Sequence, residues 1–259
     1  MKAILLAAGR GSRMGEMTAE LPKCMAVLRG RRLIEWQIAA IRQAGLEGPT
    51  IVGGYRNETI EPYADGFFVN SRWQQTNMFA SLCCAEEILS RETCCVSYSD
   101  IVYHPAIVEQ LKAASGDIVI TFDLAWHSLW SARFADPLSD AETFVYRDDR
   151  LLAIGGRTTS LSDITGQYMG LLKFTARGWQ QVRSITSKLP QEAIDKLDMT
   201  SLLSLLLKSD IAIQVTSIRG RWCEVDSQTD ITLYDDMIER NEQAGTVWSH
   251  DWRWETNDG

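Results

Sequence analysis

The sequence predicts an α/β fold: a mainly parallel, twisted sheet with helices on both faces and a small β-rich insertion in its second half. Three observations predict it. The chain opens on a short apolar run that stops at glycine. Strand-like apolar runs and segments of helical period then alternate for about 120 residues, the rhythm of a parallel sheet wrapped by helices. From Trp126 onward the texture changes to β-prone runs around charged turns. With 259 residues, 45% of them hydrophobic, the chain can bury a large core.

Lys2 to Ala8 is almost continuously apolar, as a strand buried on both faces must be. Leu33 to Ala44 carries Ile34, Ile38 and Ile41 at helical spacing and runs into Gly45, a helix stop. Thr50 to Gly53 predicts a strand, Met78 to Leu89 a helix, Cys94 to Ser97 a strand, His104 to Ala114 a helix and Asp117 to Thr121 a strand. In such a sheet, ligands gather beyond the carboxyl ends of the strands. Glu142 to Tyr146 and Leu151 to Ile154 flank the charged turn Arg147-Asp148-Asp149-Arg150 and predict a hairpin. Strands follow at Tyr168 to Phe174, Ile211 to Thr216 and Trp222 to Val225, with helices near Met199 to Lys208 and Thr229 to Ala244. Trp248 to Gly259 mixes tryptophans with polar residues without a period, and no element is assigned there.

Composition excludes several classes of function. No apolar run approaches the roughly 20 residues of a membrane span, and Met1 to Ala8 leads into a glycine-rich loop rather than a cleavage region, so a cytoplasmic location is expected. Four of the six cysteines form the adjacent pairs Cys83/Cys84 and Cys94/Cys95, which lack finger-like spacing and read as buried free thiols. His104, His127 and His250 are scattered, leaving no zinc cluster and no nucleophile–histidine triad. A net charge of -8 argues against a nucleic-acid surface and leaves small anions as the expected partners.

The loop after the first strand reads Leu6-Ala7-Ala8-Gly9-Arg10-Gly11-Ser12-Arg13-Met14, trailed by Thr18, Pro22 and Lys23. It is not a Walker motif, and it lacks the third glycine of a dinucleotide fingerprint. Small residues there let backbone N–H groups approach phosphate oxygens while Arg13 and Lys23 supply charge. A bare Gly-x-Gly would equally suit an ordinary turn. The whole string with Pro22-Lys23 resembles the signature loop of the nucleotidyltransferases that activate sugar phosphates and phosphocholine. Gly53-Gly54-Tyr55, Asn77 to Leu82, Ser99-Asp100 and Glu224-Val225-Asp226 follow in the expected order, and the resemblance is closest to the phosphocholine and phosphonate cytidylyltransferase branch.

That resemblance implies a Rossmann-like nucleotidyltransferase fold and a set of roles. Leu6, Ala7, Ala8, Gly9, Gly11, Ser12, Arg13 and Lys23 would bind the triphosphate, with Lys23 and Arg13 acting in transfer; Tyr55, Asn77 and Ser81 would lie beside the base or ribose. Asp100 and Asp226 would hold Mg²⁺, a hard cation suited to one or two carboxylates and substrate phosphates. The chain then divides into a single domain over 1–247, with a nucleotide-binding half at 1–125 and an acceptor-binding half at 126–247, and a tail at 248–259.

The acceptor side is expected at Trp130, Arg133, Gln167, Trp222 and Glu224. Trp130 offers an aromatic face for a quaternary ammonium, and Arg133 a planar fork for phosphate, phosphonate or carboxylate, unless it pairs with Asp136 or Glu142. Trp222, Glu224 and Asp226 share one strand face by period two. Trp222 packed in the core and Glu224 paired with an arginine is an equal reading. Gln167 stands where many relatives carry Glu, which weakens a carboxylate role there. Asp163, Glu142 and His127 also suit a surface turn, a strand edge and a structural histidine. The expected reaction moves CMP from CTP to a small phosphonate or phosphocholine-like acceptor, with pyrophosphate released and no covalent intermediate. The alternatives are a sugar-1-phosphate nucleotidyltransferase using UTP or dTTP and a catalytically silent nucleotide sensor. A homodimeric state is left open.

Overall fold

The computed structural model describes residues 1–11, 14 and 20–254. Among them the strands are β1 (Lys2–Ala7), β2 (Val27–Leu28), β3 (Arg31–Arg32), β4 (Glu47–Gly53), β5 (Gly66–Val69), β6 (Cys94–Tyr98), β7 (Ile101–Tyr103), β8 (Ile118–Asp123), β9 (Phe144–Arg147), β10 (Arg150–Ile154), β11 (Gln167–Phe174), β12 (Gln214–Ile218) and β13 (Trp222–Glu224). The helices are α1 (Leu33–Gln43), α2 (Met78–Cys83), α3 (Glu86–Leu89), α4 (Pro105–Ala113), α5 (Trp126–Arg133), α6 (Ala176–Thr186), α7 (Gln191–Lys196), α8 (Met199–Lys208) and α9 (Gln228–Gln243).

The main sheet has nine strands in the order β5-β4-β1-β6-β11-β8-β12-β10-β9. Its pairs are parallel from β5 through β6 and between β8 and β12; β11 runs antiparallel to both neighbours, and the β9–β10 hairpin closes one edge. The alternation along β1 shows why the sheet is covered twice. Ala3, Leu5 and Ala7 join one core with α1, α4, α5 and α9, while Ile4 and Leu6 join the other with α2, α6 and α8. No described helix is long and apolar enough to cross a membrane.

The structure departs from the sequence reading at several elements, each for a local reason. The expected helix from Met78 to Leu89 is two, because Cys84 and Ala85 turn back to residues three earlier and Ala85 leaves the helical region. The expected strand at Ile211 begins only at Gln214, since Asp210 takes a positive φ and the Ile211 N–H returns to Leu206 O to close α8. Trp126, Leu129 and Trp130, spaced for one helical face, form the buried side of α5. The aperiodic tail packs inward: Trp252 is fully buried and meets Trp36 edge-on at 6.0 Å.

Candidate functional site

The loop after β1 is shaped around Lys23. Gly11 has φ +73°, and a Cβ there would lie 2.6 Å from the Lys23 Cβ, so only glycine fits both the backbone and the neighbour. Ala7 pairs with Gly53, and the Tyr55 N–H donates to Ala8 O at 3.0 Å, which ties the loop to the end of β4. Ser12 and Arg13, both expected at the triphosphate, lie outside the described residues.

Lys23 is buried at the start of a single 3-10 turn, Lys23–Met25. Its Nζ donates to Asp100 Oδ2 at 2.8 Å and to Asp226 Oδ1 at 2.6 Å. The two aspartates converge because β13 pairs antiparallel with β7, and the Val225 N–H donates to Asp100 O at 2.8 Å just beyond that pairing. Burial opposes the lysine's charge, but Asp100 and Asp226 outweigh it and hold the ammonium well above its usual range.

Glu224, at the end of β13, completes a triad with Asp100 and Asp226 in which one oxygen from each lies within 4.8 Å of the others. Burial, with Asp226 adding to it, pushes the Glu224 carboxyl up to about 7 against the pull of Arg133 and Lys23. Asp100 Oδ1 is buried without a hydrogen-bond partner among the described residues. Three hard oxygen donors and one orphaned lone-pair site fit a divalent cation of the magnesium kind.

Arg133 requires a correction. The sequence reading placed it at the acceptor, with Asp136 or Glu142 as the competing partner. Its side chain is instead 1% exposed, with Nη1 on Glu224 at 2.9 Å, Nη2 on Asp226 at 3.0 Å and Nε on Asp230 at 3.0 Å. The guanidinium lies behind the carboxylates and aligns them. Asp230, which the sequence reading missed, also accepts from the Asp226 and Ser227 N–H groups as the partner in the capping box of α9. The Ser227-x-x-Asp230 spacing is a local signal that could have revealed it.

Two cavities share Met78 in their walls, and the larger of them reaches the cluster at Glu224. The smaller, about 140 Å³, is lined by Leu6, Ala8, Gly9, Asn77 and Ser81 together with Trp73. Asn77 caps α2 through its Oδ1, and Ser81 Oγ accepts from Asn70 Nδ2 at 3.0 Å. Tyr55 stacks edge-on against Trp73 at 5.3 Å. The larger cavity, about 400 Å³, gathers Trp130, Gln167, Trp222 and Glu224 from three separate elements, α5, β11 and β13.

Gln167 opens β11 opposite Asp123, and a bulge follows it. The register shifts between Tyr168 and Leu172, and Gly170 takes φ +82° with its α-carbon against the Tyr98 ring. Four carboxylates line this cavity (Asp140, Glu142, Asp198 and Glu224), with Arg157 among them. Glu142 is therefore more than a solvated strand edge, whereas Asp163 sits in an exposed turn bonded to Thr158 and His127 is exposed.

Both cavity tryptophans are anchored by carboxylates. Trp130 Nε1 donates to Asp140 Oδ2 at 3.2 Å, and Trp222 Nε1 to Asp123 Oδ2 at 2.9 Å. Asp123 is fully buried and also receives the Ala125 and Gly220 N–H groups and, from the tail, His250 Nε2 at 2.9 Å. The tail thus reaches the wall of the larger cavity through one carboxylate.

Residues 3–153 match the family described as a MobA-like NTP transferase domain. Over 249 residues the chain is 33% identical to the CTP:phosphoglutamine cytidylyltransferase of Campylobacter jejuni, covering 90% of this chain and 98% of that protein. It is 35% identical over 94 residues to the choline-phosphate cytidylyltransferase of Streptococcus pneumoniae, covering 35% of this chain and 41% of the relative. The inositol-1-phosphate CTP transferase of T. maritima superposes with a TM-score of 0.72 at 18% identity, covering 95% of this chain and 98% of that one, a likeness of fold.

Proposed function

We infer that this chain, which belongs to the MobA-like NTP transferase family and within it to the cytidylyltransferase branch, moves CMP from CTP to a small acceptor that carries a phosphate or phosphonate and a cationic nitrogen. The observation that carries the reading is the double placement of Glu224: it belongs to the three-carboxylate cluster around Lys23, and it lines the larger cavity. Glu224 links the cluster to the cavity suited to the acceptor, and Met78 is shared between that cavity and the one suited to the nucleotide. Four carboxylates in the larger cavity favour a positively charged head group.

In the reaction, an acceptor phosphoryl or phosphonyl oxygen attacks the α-phosphorus of CTP, the bond to the β-phosphate oxygen breaks, and pyrophosphate leaves. Asp100, Glu224 and Asp226 would hold Mg²⁺, which when bound supplies positive charge to the triphosphate. Lys23 stays charged because its carboxylate partners favour the ammonium, so its cation is available to the phosphates near neutral pH. The small residues at Ala8 and Gly9 leave the nucleotide cavity open at the loop, and Asn77 and Ser81 offer polar atoms to the base or ribose. The acceptor oxygen is already anionic, so positioning two anions replaces general-base chemistry.

Pyrophosphate release, measured over a panel of nucleoside triphosphates and acceptors with Mg²⁺, tests the reading. CTP is expected to lead, with amine-bearing phosphates or phosphonates as acceptors. Higher turnover with UTP or dTTP and a sugar 1-phosphate would replace it with the sugar-nucleotide reading, and CTP binding without turnover on any acceptor would leave a nucleotide sensor.

A further inference from the structure

The larger cavity holds a cation that no surrounding carboxylate contacts directly. Arg157 lines it together with Asp140, Glu142 and Asp198, yet its guanidinium makes no ion pair within 4.0 Å with any described residue. Its Nη1 is held by two backbone carbonyls, Ser139 O at 3.3 Å and Asp140 O at 3.2 Å, which leaves the rest of the planar fork open. Glu142 has its carboxyl raised by burial, with the neighbouring Asp198 charge adding to it and Arg157 opposing. Gln167 is 7% exposed, and its Oε1 is buried without a partner among the described residues. An open guanidinium, an orphaned acceptor and an excess of carboxylates thus share one wall system.

The geometry points to an acceptor whose head group is an α-amino-acid zwitterion: Arg157 takes the carboxylate, and Glu142, Asp198 and Gln167 take the ammonium. This deepens the cytidylyltransferase reading above and rests on it. A zwitterion satisfies each group at once. The carboxylate meets the fork that the protein leaves unpaired, and a primary ammonium donates three hydrogen bonds that Gln167 Oε1 and the carboxylates can accept. A simple amine would leave Arg157 facing an uncompensated cation. A quaternary ammonium would in addition have no hydrogen to give Gln167.

The test is a matched panel of three acceptors with CTP and Mg²⁺: phosphorylated glutamine, the same molecule without its α-carboxylate, and the same molecule without its α-amine. Wild type is expected to prefer the complete acceptor over the carboxylate-free one in kcat/KM by about tenfold or more, the size of a charge-assisted contact. Arg157→Gln should collapse that ratio to within about threefold, and Arg157→Lys should restore part of it, because the charge returns without the fork. Glu142→Gln should raise KM for both amine-bearing acceptors more than for the amine-free one. Equal use of the carboxylate-free acceptor by wild type, or a ratio unmoved in Arg157→Gln, overturns the zwitterion inference while leaving CMP transfer intact. No pyrophosphate release with any acceptor would instead defeat the cytidylyltransferase reading beneath it.

Discussion

Arg133 and Arg157 are the same residue type, and both stand among carboxylates, but they do opposite things. Arg133 is buried and spends its fork on Glu224, Asp226 and Asp230. Arg157 is exposed at a cavity wall and spends one nitrogen on backbone carbonyls. The difference teaches where binding capacity resides. A guanidinium whose donors are all answered inside the protein is part of the architecture, and one whose fork is left open is available to a ligand.

Removing the buried member should have the largest effect. Arg133→Ala takes the shared cation from Glu224, Asp226 and Asp230 and leaves only Asp226 of the three with Lys23, and loss of one partner from a buried ionic group costs about 3–5 kcal/mol. The expected outcome in urea unfolding is an unfolding free energy lowered by that amount, read as a lower midpoint, with turnover lost as Glu224 and Asp226 separate. A variant that unfolds like wild type would place Arg133 with Arg157, as a group free to serve a ligand.

Next in size are Asp100→Asn and Asp226→Asn. Each removes a charge from the three-carboxylate cluster, and turnover should fall about a hundredfold or more, since electrostatic stabilisation of transferred phosphate is the largest catalytic contribution at such sites. Asp226→Asn should also cost stability, because Asp226 answers both Lys23 and Arg133, whereas Asp100 answers only Lys23 of the two. Unfolding and turnover measured on both variants separate the architectural from the catalytic share; equal stability losses would erase the distinction.

The parts of this site that the sequence made legible are those where a local string dictates geometry. Gly11 against Lys23 needs no distant information, and Asp100 stands just beyond the carboxyl end of β6, where ligands of a parallel sheet gather; Asp226 joins it through the antiparallel pairing of β13 with β7. The pairing of Arg133 was not legible, because its three partners lie about 90 residues or more away and arrive only when α5 packs against α9. Arg157 and Glu142 flank a hairpin whose local pattern reads as an exposed edge; the cavity beside them is made by β11, α5 and the start of α8. The tail shows no period because its residues are bound singly, His250 by Asp123 and Trp252 by Trp36, rather than along a repeating face.

Asp123 offers a smaller effect with a defined pH signature. Its carboxylate lies below the usual range: burial opposes ionisation, but His250, Gly220 and Trp222 outweigh it with hydrogen bonds to the ionised form. A lowered folded-state pKa gives stability that is complete above the unfolded value near 4 and is lost as pH falls through the folded value. Asp123→Asn places an amide donor against the Trp222 and His250 donors and should cost about 2–3 kcal/mol at pH 7. Its stability should also fall less steeply than that of wild type below about pH 4. Denaturant midpoints collected from pH 7 to pH 3 check both; parallel curves would assign the acid sensitivity to other carboxylates.

The smallest expected effect is at Trp130, and it sharpens the contrast between the two arginines. A choline-binding role needs an open aromatic face, but the Arg133 guanidinium already stands over the Trp130 ring at 5.4 Å, and the indole N–H is given to Asp140. The residue is 2% exposed, so little of the ring is open to the cavity. Trp130→Leu should therefore act through lost support of Asp140 and Arg133 rather than through a lost contact with a quaternary ammonium. Acceptor KM is expected to rise only about threefold, because the cation–π contact and the hydrogen bond that are lost lie within the protein and not on the acceptor, and by a similar factor for amino-acid, primary-amine and choline acceptors. A rise confined to phosphocholine would mean that the ring meets the ligand's cation directly, and Arg133 would then share its aromatic neighbour with the substrate.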